Sequence, residues 1–278
     1  MTVRKRSLPS GWYPGTAAQC QADIEEFLIG FTPPEGYWIG GVAPHAGWFF
    51  SGRAAARVVK TLSEGPAVDR VVLYGGHLSG AAEPIAYTED SWETPLGLVP
   101  IDTAFAQALI SAGDAVEAGI AYADNTVEIH LPFVRRFFGD TPVIALHSPA
   151  GQGAVRLASA VTDRLKEKRL TAVFLGSSDL THYGPNYGWS PKGTGPEAVD
   201  WVKHENDRSI IEKAVAMNAQ GVLQDQHSRQ NTCSAGPIAS VVSSVSAYGR
   251  DKGRLLEYYT SYDVMPGSSF VGYAAIVF

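Results

Sequence analysis

Cysteine is nearly absent from this chain, which has two in 278 residues, Cys20 and Cys233. A pair so far apart provides no disulfide framework and fits a reducing compartment, so a cytoplasmic location is expected. No clustered cysteine triplet is present to hold an iron–sulfur centre. Positive charge is also in short supply, with 22 Lys and Arg against 28 Asp and Glu and a formal net charge of −6. Without a basic stripe, nucleic acid is excluded as an expected partner. No apolar run approaches membrane-spanning length, and the opening MTVRKRSLPSGWYPG sets a few cations before no apolar stretch. Neither a secretory signal nor an anchor is expected, and no membrane partner. Internal repeats, low-complexity tracts and linkers are missing too.

What is present is ordinary globular composition, with 45% apolar and 18% charged residues, enough for a sizeable core. Strand-like and helix-like stretches alternate. Tyr37 to Ala43 is a short apolar run, and Ser51 to Leu62 reads as a helix. RVVLY (70–74) reads as a strand stopping at Gly75-Gly76, and Thr126 to Phe138 as one helix. Pro142 to Leu146 and TAVFL (171–175) are further strands, and Glu197 to Met217 is a long amphipathic helix. Arg254 to Tyr262 and Phe270 to Phe278 close the chain as strands rich in aromatic and β-branched residues. The alternation predicts an α/β fold, a largely parallel sheet flanked by helices, whose two last strands need not be parallel to the rest. The stretch 185–196, rich in Gly, Pro and aromatics, reads as a long surface loop of the kind that covers a site.

The chemistry-bearing residues follow strands. His45 comes after the first run in APHAGWFFSG, His77 after the second in VVLYGGH, and Ser177, Ser178, Asp179 and His182 after TAVFL. Ligands of open α/β sheets gather at the carboxyl ends of the strands, so imidazoles on one rim predict a site. A lone histidine after a strand is more often a turn or core residue; it is the convergence that carries weight here. Asp179 is expected to cap a turn or orient His182, which suits a ligand or an acid/base role. Glu128 and His130, two apart on the expected helix, cannot share a face, so one would serve the site and the other support it or meet solvent. Cys233 lies just before a helix carrying Pro237, where the helix N-terminus favours thiolate, a nucleophile and metal ligand. Cys20 lacks such surroundings and reads as structural. His147, His204 and His227 are weaker candidates, with His204 paired to Asp200 on the long helix.

SGWYPG, APHAGWFFSG, GGH, VEIHLPF, SSDLTHYG, TCSAGPI and FVGYAA, in this order from Trp12 to Ala275, resemble Memo-like proteins, called AmmeMemoRadiSam system protein B in bacteria and archaea. That family is similar in fold to the LigB class of extradiol dioxygenases, which use non-haem Fe(II). The resemblance implies a single domain, 1–278, with a central mixed sheet. It also implies that His45, His77 and Cys233 are the metal-ligand positions, with His130 and His182 lining the same pocket where the dioxygenases keep acid/base groups. Where the dioxygenases have a carboxylate ligand, this chain has Cys233. The resemblance to the dioxygenases makes Fe(II) the first expectation, and the softer thiolate also suits Zn or Cu. Asn125 stands where many members have His, and Ser234 where many have Gly.

The implied activity is a metal-dependent oxidoreductase in which His182 and His130 move protons and Asp179 orients. The alternatives are a binding module for a small aromatic or (phospho)peptide ligand, and a partner of radical-SAM and AMMECR-type proteins in a modification system. A fourth is a Cys233–His182 hydrolase, for which no oxyanion hole is marked.

Overall fold

The computed structural model describes residues 2–119 and 124–278. Its strands are β1 (Val3–Arg4), β2 (Gly40–Ala43), β3 (Arg70–Leu78), β4 (Ile85–Ala86), β5 (Ser91–Thr94), β6 (Gly97–Pro100), β7 (Val116–Glu117), β8 (Val143–Pro149), β9 (Ala172–Ser177), β10 (His182–Tyr183), β11 (Arg254–Thr260) and β12 (Phe270–Val277). Its helices are α1 (Ala17–Phe27), α2 (Trp48–Leu62), α3 (Thr103–Ser111), α4 (Asn125–Glu128), α5 (Leu131–Phe138), α6 (Gln152–Glu167), α7 (Pro196–Trp201), α8 (Asp207–Val215), α9 (Ala219–Arg229), α10 (Ala235–Ser246) and α11 (Ser261–Val264).

The main sheet runs β10-β12-β2-β9-β3-β8-β4-β7, with β11 also on β12. Its centre, β2-β9-β3-β8, is parallel, whereas β12 is antiparallel to β2, β10 and β11. The expected mixed, largely parallel sheet is therefore present in a single α/β domain. Strand periodicity splits the core into two layers. Val71, Leu73, Val173 and Leu175 pack with Ala55, Val58 and Val59 of α2 on one face. Val72, Tyr74 and Phe174 pack with Leu157 of α6 and Val241 of α10 on the other. With both faces covered, the parallel strands can be apolar throughout.

Three elements differ from the sequence reading, each for a local reason. β3 continues past Gly75-Gly76 to Leu78, with an irregular register against β8. Gly76 has φ +101, and a Cβ there would lie 2.7 Å from the Cβ of His147, so only glycine lets this bulge form. The expected helix 126–138 is broken into α4 and α5 with His130 at the junction. Pro132 causes the break, since its ring and missing N–H forbid a continuous helix but suit the first turn of a new one. The long helix 197–217 contains a π-helical segment, Val202–Asn206, between α7 and α8. A second, three-stranded sheet, β1-β5-β6, was not anticipated.

Candidate metal centre

His45, His77 and Cys233 come from three distant parts of the chain, and their donor atoms lie within 4.8 Å of one another. The Nε2 atom of His45 is 3.2 Å from His77 Nε2 and 3.2 Å from Cys233 Sγ. His45 sits two residues beyond β2, next to Ser177 at the end of the adjacent parallel β9. His77 is thrown to the same rim by the Gly76 bulge, whose N–H is held by Thr126 Oγ1 at 2.7 Å. Cys233 arrives just ahead of α10. The start of that helix presses on β8 so closely that a Cβ on Gly236 would lie 2.4 Å from the carbonyl oxygens of Ser148 and Pro149. The Cys233 N–H also donates to the Asp179 carbonyl at 3.2 Å, tying the thiol loop to the loop after β9.

Each imidazole is aimed by its other nitrogen. His77 Nδ1 donates to Asp124 Oδ2 at 3.0 Å, and His45 Nδ1 meets Ser177 Oγ at 3.0 Å. Asp124 is itself held as the N-cap of α4, accepting from Thr126 N at 2.8 Å, and lies 3.8 Å from His147 Nε2. Such partners fix ring orientation and raise the basicity of the outward nitrogen. Tetrahedral zinc bond lengths place donor atoms roughly 3.3–3.6 Å apart, close to the 3.2 Å that separates His45 Nε2 from each of its two partners. The donor set and its spacing therefore fit a single transition-metal ion.

The electrostatics point the same way. Burial opposes ionisation of Cys233, but the neighbouring His45 and His77 imidazoles outweigh it and lower the thiol to about 6. Burial would lower His77, yet the Asp124 carboxylate and the Cys233 sulfur raise it to about 10. Asp124 is held well below the usual carboxylate range; burial works against this, but His77, His147 and Thr126 prevail.

The remaining expected residues fall into two groups. His182 and Asp179 line, with His45 and His77, a cavity of about 480 Å³ whose walls include Trp12, Phe50, Tyr187 and Tyr273. His182 Nδ1 donates to the Leu180 carbonyl at 3.1 Å, and the ring stands edge-on to Tyr187. Asp179 does not turn helically toward His182. Its carboxylate instead accepts the His45 N–H at 2.7 Å and fixes the loop that carries that imidazole. Burial raises its pKa. A second cleft of about 390 Å³ reaches Cys233 from the other side of His182 and Tyr187, past Gln226 and Gln230. Tyr187 belongs to the 185–196 loop, which thus borders the site as anticipated.

His130 is placed differently from the implied pocket-lining position. It is fully buried behind His45, is not among the residues lining either cleft, and has Nε2 2.9 Å from Ser177 Oγ. Burial, with His45 nearby, lowers it to about 3, so it is neutral. Glu128 supports the fold rather than the site, accepting from Ser7 N, Leu8 N, the Ser7 hydroxyl and, at 2.8 Å, the Tyr13 hydroxyl. Asn125 donates to the His45 carbonyl at 2.9 Å and so steadies the backbone of His45. Cys20 is buried and pushed up to about 12 by that burial, in keeping with a structural thiol. His204 forms the exposed pair with Asp200 at 3.3 Å, and His227 is exposed on α9. Asp124 and His147 were missed as supporting groups. Their only local signals are an Asp before a short helix and a His inside an apolar strand.

The sequence pattern of the family described as "Memo-like protein" matches residues 4–277. A "MEMO1 family protein" of Methanosarcina acetivorans is 31% identical over 283 residues, covering 100% of this chain and 99% of its own. A MEMO1 family protein of Methanopyrus kandleri is 35% identical over 249 residues, covering 86% and 82%. Among solved structures, an uncharacterized protein of Escherichia coli K12 overlays with a TM-score of 0.49 at 14% identity, covering 78% of this chain and 91% of that one. The chain belongs to the Memo-like family.

Proposed function

We propose that His45, His77 and Cys233 hold one divalent metal ion, Fe(II) first and Zn or Cu as alternatives, and that the protein is a metal-dependent oxidoreductase related to extradiol dioxygenases. The observation that carries this reading is the meeting of two aimed imidazole nitrogens, at the wall of a partly aromatic cavity, with a thiol depressed to about 6 that a second cleft reaches. When bound, Fe(II) would supply Lewis acidity and O₂ activation at open coordination positions. The chain's own residues do the rest. Trp12, Phe50, Tyr187 and Tyr273 bind the apolar body of a small aromatic or oxygenated substrate and exclude water. His182, with Nδ1 committed to Leu180, keeps Nε2 as the nitrogen that takes or returns a proton. Asp179 orients by fixing the His45 loop. His130 holds the hydroxyl that faces His45 and acts at one remove from the cavity.

Anaerobic titration with Fe(II), followed by absorption spectroscopy on adding catechol and then oxygen, tests the proposal. One ion per chain, lost in His45→Ala and His77→Ala, is expected. Absence of binding, or binding indifferent to both changes, overturns it. The same cavity suits a peptide side chain bearing an aromatic ring. Peptide affinity that survives chelation, with no oxygen consumption, would favour a binding module or a partner role in a radical-SAM-linked system.

A further inference from the structure

Ser177 stands between two imidazoles. Its Oγ lies 3.0 Å from His45 Nδ1 and 2.9 Å from His130 Nε2, and all three residues are buried. A hydroxyl has one proton, so it donates to one ring and accepts from the other. The direction of the whole chain is therefore a two-way choice. His130 Nδ1, at the far end, is buried and has no hydrogen-bond partner among the described residues. A buried N–H without an acceptor is rarer and costlier than a lone pair without a donor. The unloaded protein accordingly keeps the His130 proton on Nε2. It donates to Ser177, Ser177 donates to His45 Nδ1, and His45 Nε2–H faces the Cys233 sulfur 3.2 Å away.

We propose that Ser177 is a positioning residue that couples cation binding at His45 to the tautomer of His130. The inference rests on the reading of His45, His77 and Cys233 as a cation site. A cation needs the lone pair of His45 Nε2. The Nε2 proton leaves to solvent, the Ser177 hydroxyl proton passes to His45 Nδ1, and the His130 Nε2 proton passes to the Ser177 oxygen. One proton from solvent is taken up at His130 Nδ1, so the triad holds three exchangeable protons before and after. Loading thus turns the chain around and places an N–H where the fold offers no acceptor. Occupancy of the site is opposed by a group outside both clefts.

The test uses the intact protein with ¹⁵N-labelled histidine and Zn(II) as a diamagnetic probe, read by long-range ¹H–¹⁵N spectra alongside chelator competition. Without zinc, His130 should show its proton on Nε2, and with zinc on Nδ1. In Ser177→Ala, which cuts the relay between the two rings, zinc should leave the His130 tautomer unchanged. A His130 tautomer that is the same with and without bound zinc in the unaltered protein overturns the coupling while leaving the metal reading standing. A Ser177→Ala protein whose His130 still reverses also overturns it. Failure of zinc to bind the unaltered protein removes both readings.

Discussion

The ionisation of Cys233 gives the most direct measure of the centre, because alkylation reads thiolate and needs no bound metal. A thiol lowered from the usual 9.0 to about 6 is ionised to about nine tenths at pH 7 and almost completely at pH 8. The rate of iodoacetamide reaction with the metal-free protein should change by only about 1.1-fold between these pH values, whereas an ordinary thiol would rise about ninefold. The second cleft reaches Cys233, so the reagent has a path. His45→Ala removes the largest lowering influence and should restore a steep rise toward pH 8. Zinc should suppress the reaction in the unaltered protein. A rate that climbs about tenfold from pH 7 to 8 in the metal-free protein would refute the placement of the two imidazoles against the sulfur. The same pair sets a stability window. Cys233 is depressed, so its contribution is full above the ordinary thiol pKa and is lost as pH falls through about 6. His77 is raised, so its contribution is full below 6.5 and is lost as pH rises through about 10.

Asp124→Asn keeps a cap for α4 but removes the carboxylate behind His77, so zinc affinity by chelator competition should fall about 10–100-fold and the melting temperature of the metal-free protein at neutral pH should fall as well. Glu128→Ala strips the acceptor from two backbone N–H groups and two hydroxyls, and urea unfolding should show a loss of about 3–5 kcal/mol, with early proteolysis of residues before Tyr13. Gly236→Ala drives a Cβ against the Ser148 and Pro149 carbonyls, so it should push the start of α10 outward and weaken zinc binding more than ten-fold, roughly what a misplaced ligand costs. Saturating zinc at about 100 times its dissociation constant should stabilise the protein by about 2.7 kcal/mol in urea unfolding, and His77→Ala should abolish that gain.

The parts of the site that were legible in the sequence are those fixed by strand ends. A β-strand that runs out into Pro44-His45 or Ser177-Ser178-Asp179, or bulges near its end at Gly76-His77, places its polar group on a rim that the parallel core defines. The wider sheet was legible for the same reason, since β3, β8, β9 and β12 are long enough to show their apolar character. The small sheet β1-β5-β6 was not, because strands of two and four residues are held by tertiary neighbours rather than by periodicity. Asp124 was invisible because its partner His77 lies 47 positions away and the segment between them, with β4 to β7 and α3, carries no repeat or spacing rule. His130 was recognisable as a polar residue near the site, but its side of the wall depended on Pro132 breaking one expected helix into two.

That break accounts for the division of labour among the histidines. Had α4 and α5 been continuous, Glu128 and His130 would project about 200° apart on one cylinder. The turn lets Glu128 grip the segment Ser7–Tyr13 while His130 points at Ser177 beneath the sheet rim. The gripped segment carries Trp12, whose carbonyl accepts the Trp48 N–H at 2.8 Å at the start of α2 and whose side chain forms part of the cavity wall. A single proline thus links the wall of the cavity to the buried imidazole behind His45. Loosening the Glu128 grip should therefore disturb ligand binding in the cavity before it disturbs the His45–His77–Cys233 cluster, because Ser177 and the Asp179 carbonyl belong to the end of β9 and only Asp124, the cap of α4, shares an element with Glu128.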